Sequence, residues 1–475
     1  MRLRLRLRRL RLRLRRRRAV ISRLRRGPDD SSDGPPAGLH AYRRSLDGGS
    51  ARLHLRIDSG GNGLLLVNAD RAVHLNATAA LMAWLQLEGQ AEKQALSVLR
   101  RRFHAPLGKL RRDYLAVQQQ IDELSRPDGA CPIHDLDLDI LPPFSSVPDA
   151  PYRMDLALTY RCNNECAHCY NARPRAYPEI ETDDWRGLID RLWQVGVPHI
   201  CFTGGEATLR TDLPDLIAHA EANGQITGLL TNGRRLSDRG YVEALKAAGL
   251  DHVQVTIESH VPDIHDRMVA CQGAWQQTVA GIRNVLEAGL FVMTNTTLLA
   301  ENCRLLAGTL EFLADLGVPT IGLNALIHAG KGAASSSGIP ETDLSPLLTL
   351  ARQQTAAHGQ RLIWYTPTQY CSLDPVQMEL GVKGCSAALY NMCVEPDGGV
   401  IPCQSYYQQV GNLLHDPWDS IWNHPLCRWL RERRYVPESC HQCALLPECG
   451  GGCPLALEGE AATSSMDAQL IVEEG

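Results

Sequence analysis

Nowhere in these 475 residues is there a run approaching the roughly 18 uninterrupted apolar residues of a membrane-spanning helix. That absence argues against a helical membrane anchor. The N-terminal region also lacks the apolar h-region of a secretory signal, so a reducing, cytoplasmic setting is expected. No cysteine follows Cys453, although the chain has 16. What is present is the composition of a globular protein, with 44% hydrophobic and 21% charged residues, and the length predicts several domains. The cysteines are clustered rather than spread, and clustered thiols in a reducing compartment point to metal more than to disulfides.

The net charge of −4 hides an asymmetry. The opening MRLRLRLRRLRLRLRRRRAVISRLRR holds 14 of the 49 basic residues, leaving 35 basic against 53 acidic, a net −18. Arginine-rich runs can neutralise the phosphates of nucleic acid or anionic lipid. Here the strict Arg/Leu alternation is compositional, so residues 1–50 are read as a disordered arm followed by a Pro/Gly/Ser/Asp linker at 27–50. No nucleic acid and no membrane is expected as a partner.

Residues 51–125 read as a small module. Three strand-like runs come first: RLHLRI at 52–57, GLLLV at 63–67 and AVHL at 72–75, with the turn composition SGGNG between the first two. Asn76 is placed to cap the helix of ATAALMAWLQLEG, which ends at Gly89, and two amphipathic helices follow around 91–103 and 109–125. This βββααα order is winged-helix-like, and winged helices often bind DNA. The last helix mixes Lys109, Arg111 and Arg112 with Asp113, Asp122 and Glu123, so no recognition helix stands out. An open sheet edge can instead take an extended peptide as an extra strand. The stretch LLLVNADRAVHLNATAALMAWLQLEGQ resembles the recognition element of enzymes that modify ribosomally made peptides. That resemblance implies a precursor peptide bound through its leader. Residues 126–151 form a Pro/Asp-rich linker in which Cys131 reads as incidental.

From 152 onward strands and helices alternate. Strand candidates are 155–160, 199–204, 227–232, 252–258, 291–297 and 320–326, separated by segments of helical periodicity. Six βα units predict a parallel sheet, an α/β fold curved into a partial (β/α)6 TIM-like barrel over 152–370. In such folds polar residues at the C-terminal strand ends build the site.

The first of these strands runs into YRCNNECAHCYN, which places Cys162, Cys166 and Cys169 on one loop. Three thiolates can hold three corners of a [4Fe–4S] cube and leave one iron open to a chelating ligand. Zinc is better served by four ligands, although His168 could pose as the fourth. With its context the motif resembles the radical S-adenosylmethionine (radical SAM) signature. The resemblance implies a [4Fe–4S] cluster and SAM, with the cluster's electron cleaving SAM to a 5′-deoxyadenosyl radical. It also places SAM contacts at His168, at Gly204, Gly205 and Glu206 of TGGE, at Asn232, at Glu258 and Ser259, and at Asn295.

Downstream, Cys385, Cys393 and Cys403 precede CHQCALLPECGGGCP, which carries Cys440, Cys443, Cys449 and Cys453. This order resembles the SPASM extension of peptide-modifying radical SAM enzymes, a loop-rich domain assigned to 371–475. The family pattern implies one or two auxiliary [4Fe–4S] clusters. Cys385, Cys393, Cys403 and Cys453 would hold one, and Cys440, Cys443 and Cys449 three corners of the other. For the missing fourth ligand the alternatives are an open iron, Glu458, Glu460 or Asp467, or the thiol of Cys371 or Cys427. Cys371 is also a candidate catalytic thiol. Cys201, Cys271, Cys303 and Cys427 read as structural.

The resemblance as a whole implies a radical SAM/SPASM maturase acting on a ribosomal precursor peptide, with a flavodoxin or ferredoxin as electron donor. The rival readings are a radical SAM enzyme of tetrapyrrole or cofactor biosynthesis, a maturase of a folded protein, and a non-catalytic iron–sulfur scaffold.

Overall fold

A computed structural model describes residues 21–23, 35–46, 49–68, 71–125 and 148–457. The first 20 residues, residues 126–147 with Cys131, and the tail from 458 with Glu458, Glu460 and Asp467 lie outside the described residues. The chain divides into two compact units, Met1–Leu141 and Pro142–Gly475.

The first unit is an antiparallel sheet with three helices. Its strands pair in sequence order: β1 Ile21–Arg23, β2 Gly38–Leu46, β3 Gly49–Ile57, β4 Gly63–Val67 and β5 Arg71–Leu75. The helices are α1 Ala77–Leu87, α2 Glu92–Arg102 and α3 Leu107–Leu124. Asn76 caps α1 as its sequence position predicts, its Oδ1 accepting from Ala79 N at 2.9 Å. Alternation sends Leu53, Leu55 and Ile57 of β3 into a core shared with Leu81 and Leu85 of α1 and Val117 and Ile121 of α3. Truncating one of these leucines to alanine costs about 2–5 kcal/mol.

The segment read as linker holds a strand. β2 pairs with β3 over nine positions, from Gly38↔Ile57 to Leu46↔Gly49, and buries Tyr42, whose hydroxyl donates to Glu88 at 2.7 Å. HAYRRSL shows no apolar alternation, so only its partner strand reveals it.

The second unit is built on a parallel sheet. In chain order come β6 Arg153–Thr159, α4 Thr182–Gln194, β7 His199–Gly204, α5 Leu213–Asn223, β8 Ile226–Thr231, α6 Arg239–Ala247, β9 His252–Thr256, α7 Pro262–Met268 and α8 Ala274–Glu287. There follow β10 Phe291–Thr297, α9 Leu306–Asp315, β11 Thr320–Asn324, α10 Glu341–Ala357 and β12 Arg361–Trp364. β6 to β12 lie side by side in chain order and parallel, so each crossover places its helix on the outer layer. Six such strands are expected; β12, only four residues long, is a seventh.

Helix α4 shows why the outer layer forms. Trp185, Leu188, Ile189 and Leu192 recur at helical spacing and are buried, and Asp183 and Asp184 sit favourably against the dipole in its first turn. The helix-facing residues Met154, Leu156, Leu158, Ile200, Phe202, Val253 and Val255 join the same core. The alternate residues, among them Asp155, Thr159, Cys201, Gln254 and Asn295, therefore line the inner face.

On its other edge β6 pairs in parallel with β13 Asn391–Val394, which continues antiparallel into β14 Gly399–Ile401 and β15 Gly411–Asn412. The cysteine-rich C-terminal segment is thus joined to the barrel by one continuous sheet. The short helices α11 Trp418–Trp422 and α12 Pro425–Arg431 complete it.

Candidate active site

Cys162, Cys166 and Cys169 lie on the loop that leaves the C-terminal end of β6. Several unrelated elements grip this loop. Glu165 N and Ala167 N donate to Val269 and Met268 carbonyls at 3.0 and 3.2 Å, and Lys331 N donates to Cys169 O at 2.8 Å. Arg175 donates to the carbonyls of Tyr160 and Asn164, and Arg234 donates to Asn164 Oδ1 at 2.9 Å and to Asn163 O. Burial pushes the Cys162 and Cys166 thiols up, and their mutual proximity to Cys169 pushes them further. Three half-buried thiols on one loop are a sulfur-only donor set, and binding of iron as thiolates releases their protons. His168, the alternative fourth zinc ligand, turns Nε2 to Glu258 Oε1 at 3.0 Å. These features fit a three-thiolate cubane better than a zinc site.

The two glycines of TGGE are required by close backbone approach. A Cβ on Gly204 (φ +139°) would stand 2.1 Å from Thr159 O, and one on Gly205 2.4 Å from Arg161 O. Their absence lets Gly205 N donate to Thr159 O at 2.7 Å and Glu206 N to Arg161 O at 2.9 Å, locking the end of β7 against the cysteine loop. The Glu206 carboxylate is buried and internally engaged. Oε1 accepts from the hydroxyls of Thr208 and Thr231, both at 2.7 Å, and Oε2 from Asn232 N at 2.8 Å. Asn232 reaches the loop itself, donating from Nδ2 to Asn163 Oδ1 at 2.6 Å.

At the end of β9, Glu258 is buried and accepts from Thr297 N at 2.9 Å besides meeting His168. Burial opposes the His168 charge, but the Glu258 carboxylate outweighs it and raises the imidazole's proton affinity. Ser259 accepts from Val261 N at 3.1 Å and is fully buried, a turn-capping posture. Asn295 donates to Asn324 Oδ1 at 2.7 Å across the inner face. The strand ends β6 to β10 thus gather the expected residues on one rim.

All 15 described cysteines are unbridged. In the C-terminal segment the structure brings Cys385, Cys403 and Cys453 together. Burial raises the Cys385 thiol, with Cys453 and Cys403 adding, and burial holds Cys403 up at about 12 with Cys453 contributing. Cys393, buried on β13, has its thiol raised by burial and by Asp155, Glu395 and Cys403. Cys440, Cys443 and Cys449 share one short loop, with Cys443 N on Cys440 O at 3.0 Å and Tyr370 N on Cys449 Sγ at 3.4 Å. The turn back to Cys453 takes Gly450, Gly451 and Gly452 through φ of +67°, +84° and +84°, a left-handed run open to glycine alone. Cys371 is exposed, its thiol 3.8 Å from Gln369 Oε1, and Cys427 packs in the core on α12.

Three features carried no sequence signal. Tyr435 is half-buried beside both cysteine groups, its phenol raised by burial and by Cys385, Cys453 and Cys449. Arg173 forms a two-point ion pair with buried Glu395, at 2.6 and 2.8 Å, with its guanidinium beside the Tyr177 and Tyr407 rings. Tyr170, next to Cys169, donates to Gln404, next to Cys403, at 2.8 Å.

Residues 156–324 match the Radical SAM superfamily and residues 385–444 the SPASM iron–sulfur cluster-binding domain. PqqA peptide cyclase of Xanthomonas campestris pv. campestris is 29% identical over 333 residues, covering 67% of this chain and 86% of that protein. Fe-coproporphyrin III synthase of Methanosarcina barkeri is 28% identical over 324 residues, covering 62% of this chain and 81% of that protein. Among solved structures, Streptococcus suis SuiB bound to precursor peptide SuiA superposes with a TM-score of 0.64 at 14% identity, covering 85% of this chain and 94% of that one. With the cysteine loop at the end of β6, the Gly-Gly-Glu turn at the end of β7 and the cysteine-rich sheet extension, these matches give the chain a Radical SAM domain followed by a SPASM domain, the equipment of an enzyme whose cofactors are SAM and iron–sulfur clusters.

Proposed function

We propose that this enzyme modifies a ribosomally made precursor peptide, held by its leader at residues 51–125 while the barrel acts on the core. The observation that carries the reading is extent: SuiB, bound to a precursor peptide, aligns over 85% of this chain, and PqqA peptide cyclase over 67%. Cys162, Cys166 and Cys169 are the ligands of the catalytic cluster. Cys385, Cys393, Cys403 and Cys453 serve one auxiliary cluster, and Cys440, Cys443 and Cys449 a second. When bound, the catalytic cluster and SAM supply a 5′-deoxyadenosyl radical.

The chain's own residues do the rest. Gly204 and Gly205 bring the β7 end close to the cysteine loop, Glu206 fixes the β8 end, and Glu258 orients His168 beside the expected SAM position. His168, Asn232, Ser259 and Asn295 are assigned to SAM contacts. The inner face below the rim positions the target hydrogen near the radical carbon and keeps water out. A low-potential flavodoxin or ferredoxin supplies the electron in the cytoplasm.

The test is anaerobic reconstitution with SAM, reductant and a candidate precursor peptide from any short reading frame beside this gene, followed by mass spectrometry. A change of peptide mass or connectivity that depends on the leader supports the reading. 5′-Deoxyadenosine formation with an unaltered peptide overturns it and favours a tetrapyrrole substrate, the chemistry named for the Methanosarcina relative.

A further inference from the structure

The inner face of the barrel carries a second set of metal-type donors, distinct from the cluster cysteines. His199 and Cys201 stand two apart on β7 and share a face. The register sets Cys201 beside Gly228 of β8, and Gly228 beside His252 of β9. One donor atom from each of His199, Cys201 and His252 lies within 4.8 Å of the others. The two imidazole rings are 5.0 Å apart and tilted by 58°. Gly228 is what lets the side chains meet: a Cβ there would stand 2.4 Å from His252 Nε2 and 3.1 Å from Cys201 Sγ.

We propose that His199, Cys201 and His252 bind one zinc-class divalent ion at the N-terminal end of the barrel strands, stapling β7 to β9 across Gly228. Two imidazoles and a thiolate are the donor set that borderline ions such as zinc take in preference to magnesium or calcium. Donors of a tetrahedral zinc stand about 3.5 Å apart, so side-chain adjustments of about 1 Å close the site. As zinc bonds to Cys201 Sγ, the S–H proton leaves to solvent and no electron is transferred. Asp155, beside Cys201 in the row, is gripped by Arg153 at 2.8 and 3.0 Å, so its carboxylate offsets the guanidinium next to the ion. Three protein donors leave a fourth position for water. The six residues of β7 from His199 to Gly204 span roughly 16 Å, which separates this ion from the catalytic cluster's end of the barrel.

The test uses full-length, cluster-loaded enzyme, so that iron already occupies the cluster thiols. After equilibration with zinc and desalting, zinc and iron are measured together by mass spectrometry. The expected result is about one zinc per chain, as a single three-donor site requires, lost in Cys201→Ala and in Gly228→Ala at unchanged iron, and kept in Cys371→Ser. No zinc in the wild-type enzyme overturns the proposal, whether or not the variants fold. So does zinc that survives both Cys201→Ala and Gly228→Ala, or zinc that disappears with the exposed Cys371.

Discussion

Glu206 and Asp212 show how single carboxylates position the rim. Glu206 accepts from two hydroxyls and two backbone N–H groups around the ends of β7 and β8. An amide in its place offers one acceptor oxygen and an N–H₂ facing other donors, so Glu206→Gln is expected to cost about 1–3 kcal/mol and to reduce cluster retention. Thermal unfolding and iron content read the two effects. Asp212 sits one turn further along, held by Arg210 at 2.7 and 2.9 Å and by the Thr182 hydroxyl at 2.6 Å. Burial alone would raise its carboxyl, but these bonds outweigh it and hold the group below its ordinary range. A carboxyl depressed on folding contributes stability above its unfolded value, about 3.9, and loses it as pH falls through the folded value. The stability gap between wild type and Asp212→Asn is therefore expected to be largest near neutrality and to close below about pH 4, in thermal midpoints taken across pH. A gap independent of pH would contradict this account.

At the scale of elements, the link between the cysteine loop and the strand extension runs through Arg173 and Glu395. Glu395 is fully buried at the end of β13, accepts from Tyr160 at 3.1 Å, and has Arg173 as its counter-charge. Arg173→Ala leaves that carboxylate buried and unpaired, an expected loss of about 3–5 kcal/mol. Arg173→Leu with Glu395→Leu removes both charges and should recover most of it in the same denaturant titration. Why the sequence disclosed some of this architecture and not the rest follows from range. The helices after Asn76 and the parallel strands are legible because their periodicity and caps are local, and the cysteine loop because its three thiols lie within eight residues. β2 reads as linker in the sequence because its stability comes from nine pairings to β3, not from its own pattern. The Arg173–Glu395 and Tyr170–Gln404 links join residues 222 and 234 positions apart, beyond any window of pattern. The meeting of His199, Cys201 and His252 depends on register across Gly228, which single strands do not announce.

At the scale of the molecule, the two compact units carry different parts of the proposed reaction. The core running from Ala150 to Leu430 lies wholly within Pro142–Gly475, as do all the cysteines assigned to clusters. Its sheet runs unbroken from β12 through β6 to β15, so barrel and cysteine-rich segment unfold as one. A chain lacking residues 1–141 is therefore expected to fold, to carry roughly 8–12 irons when reconstituted, the content of two to three [4Fe–4S] clusters, and to cleave SAM. With residues 51–125, proposed to hold the leader, gone, it should lose turnover of the full precursor, and adding Met1–Leu141 as a separate chain should restore part of it. Loss of SAM cleavage in the truncated chain would show that the first unit supports the barrel itself. Undiminished peptide turnover would show that residues 51–125 do not hold the leader. Comparing 5′-deoxyadenosine yield with modified peptide in one time course distinguishes these outcomes, because radical generation and substrate capture are read separately.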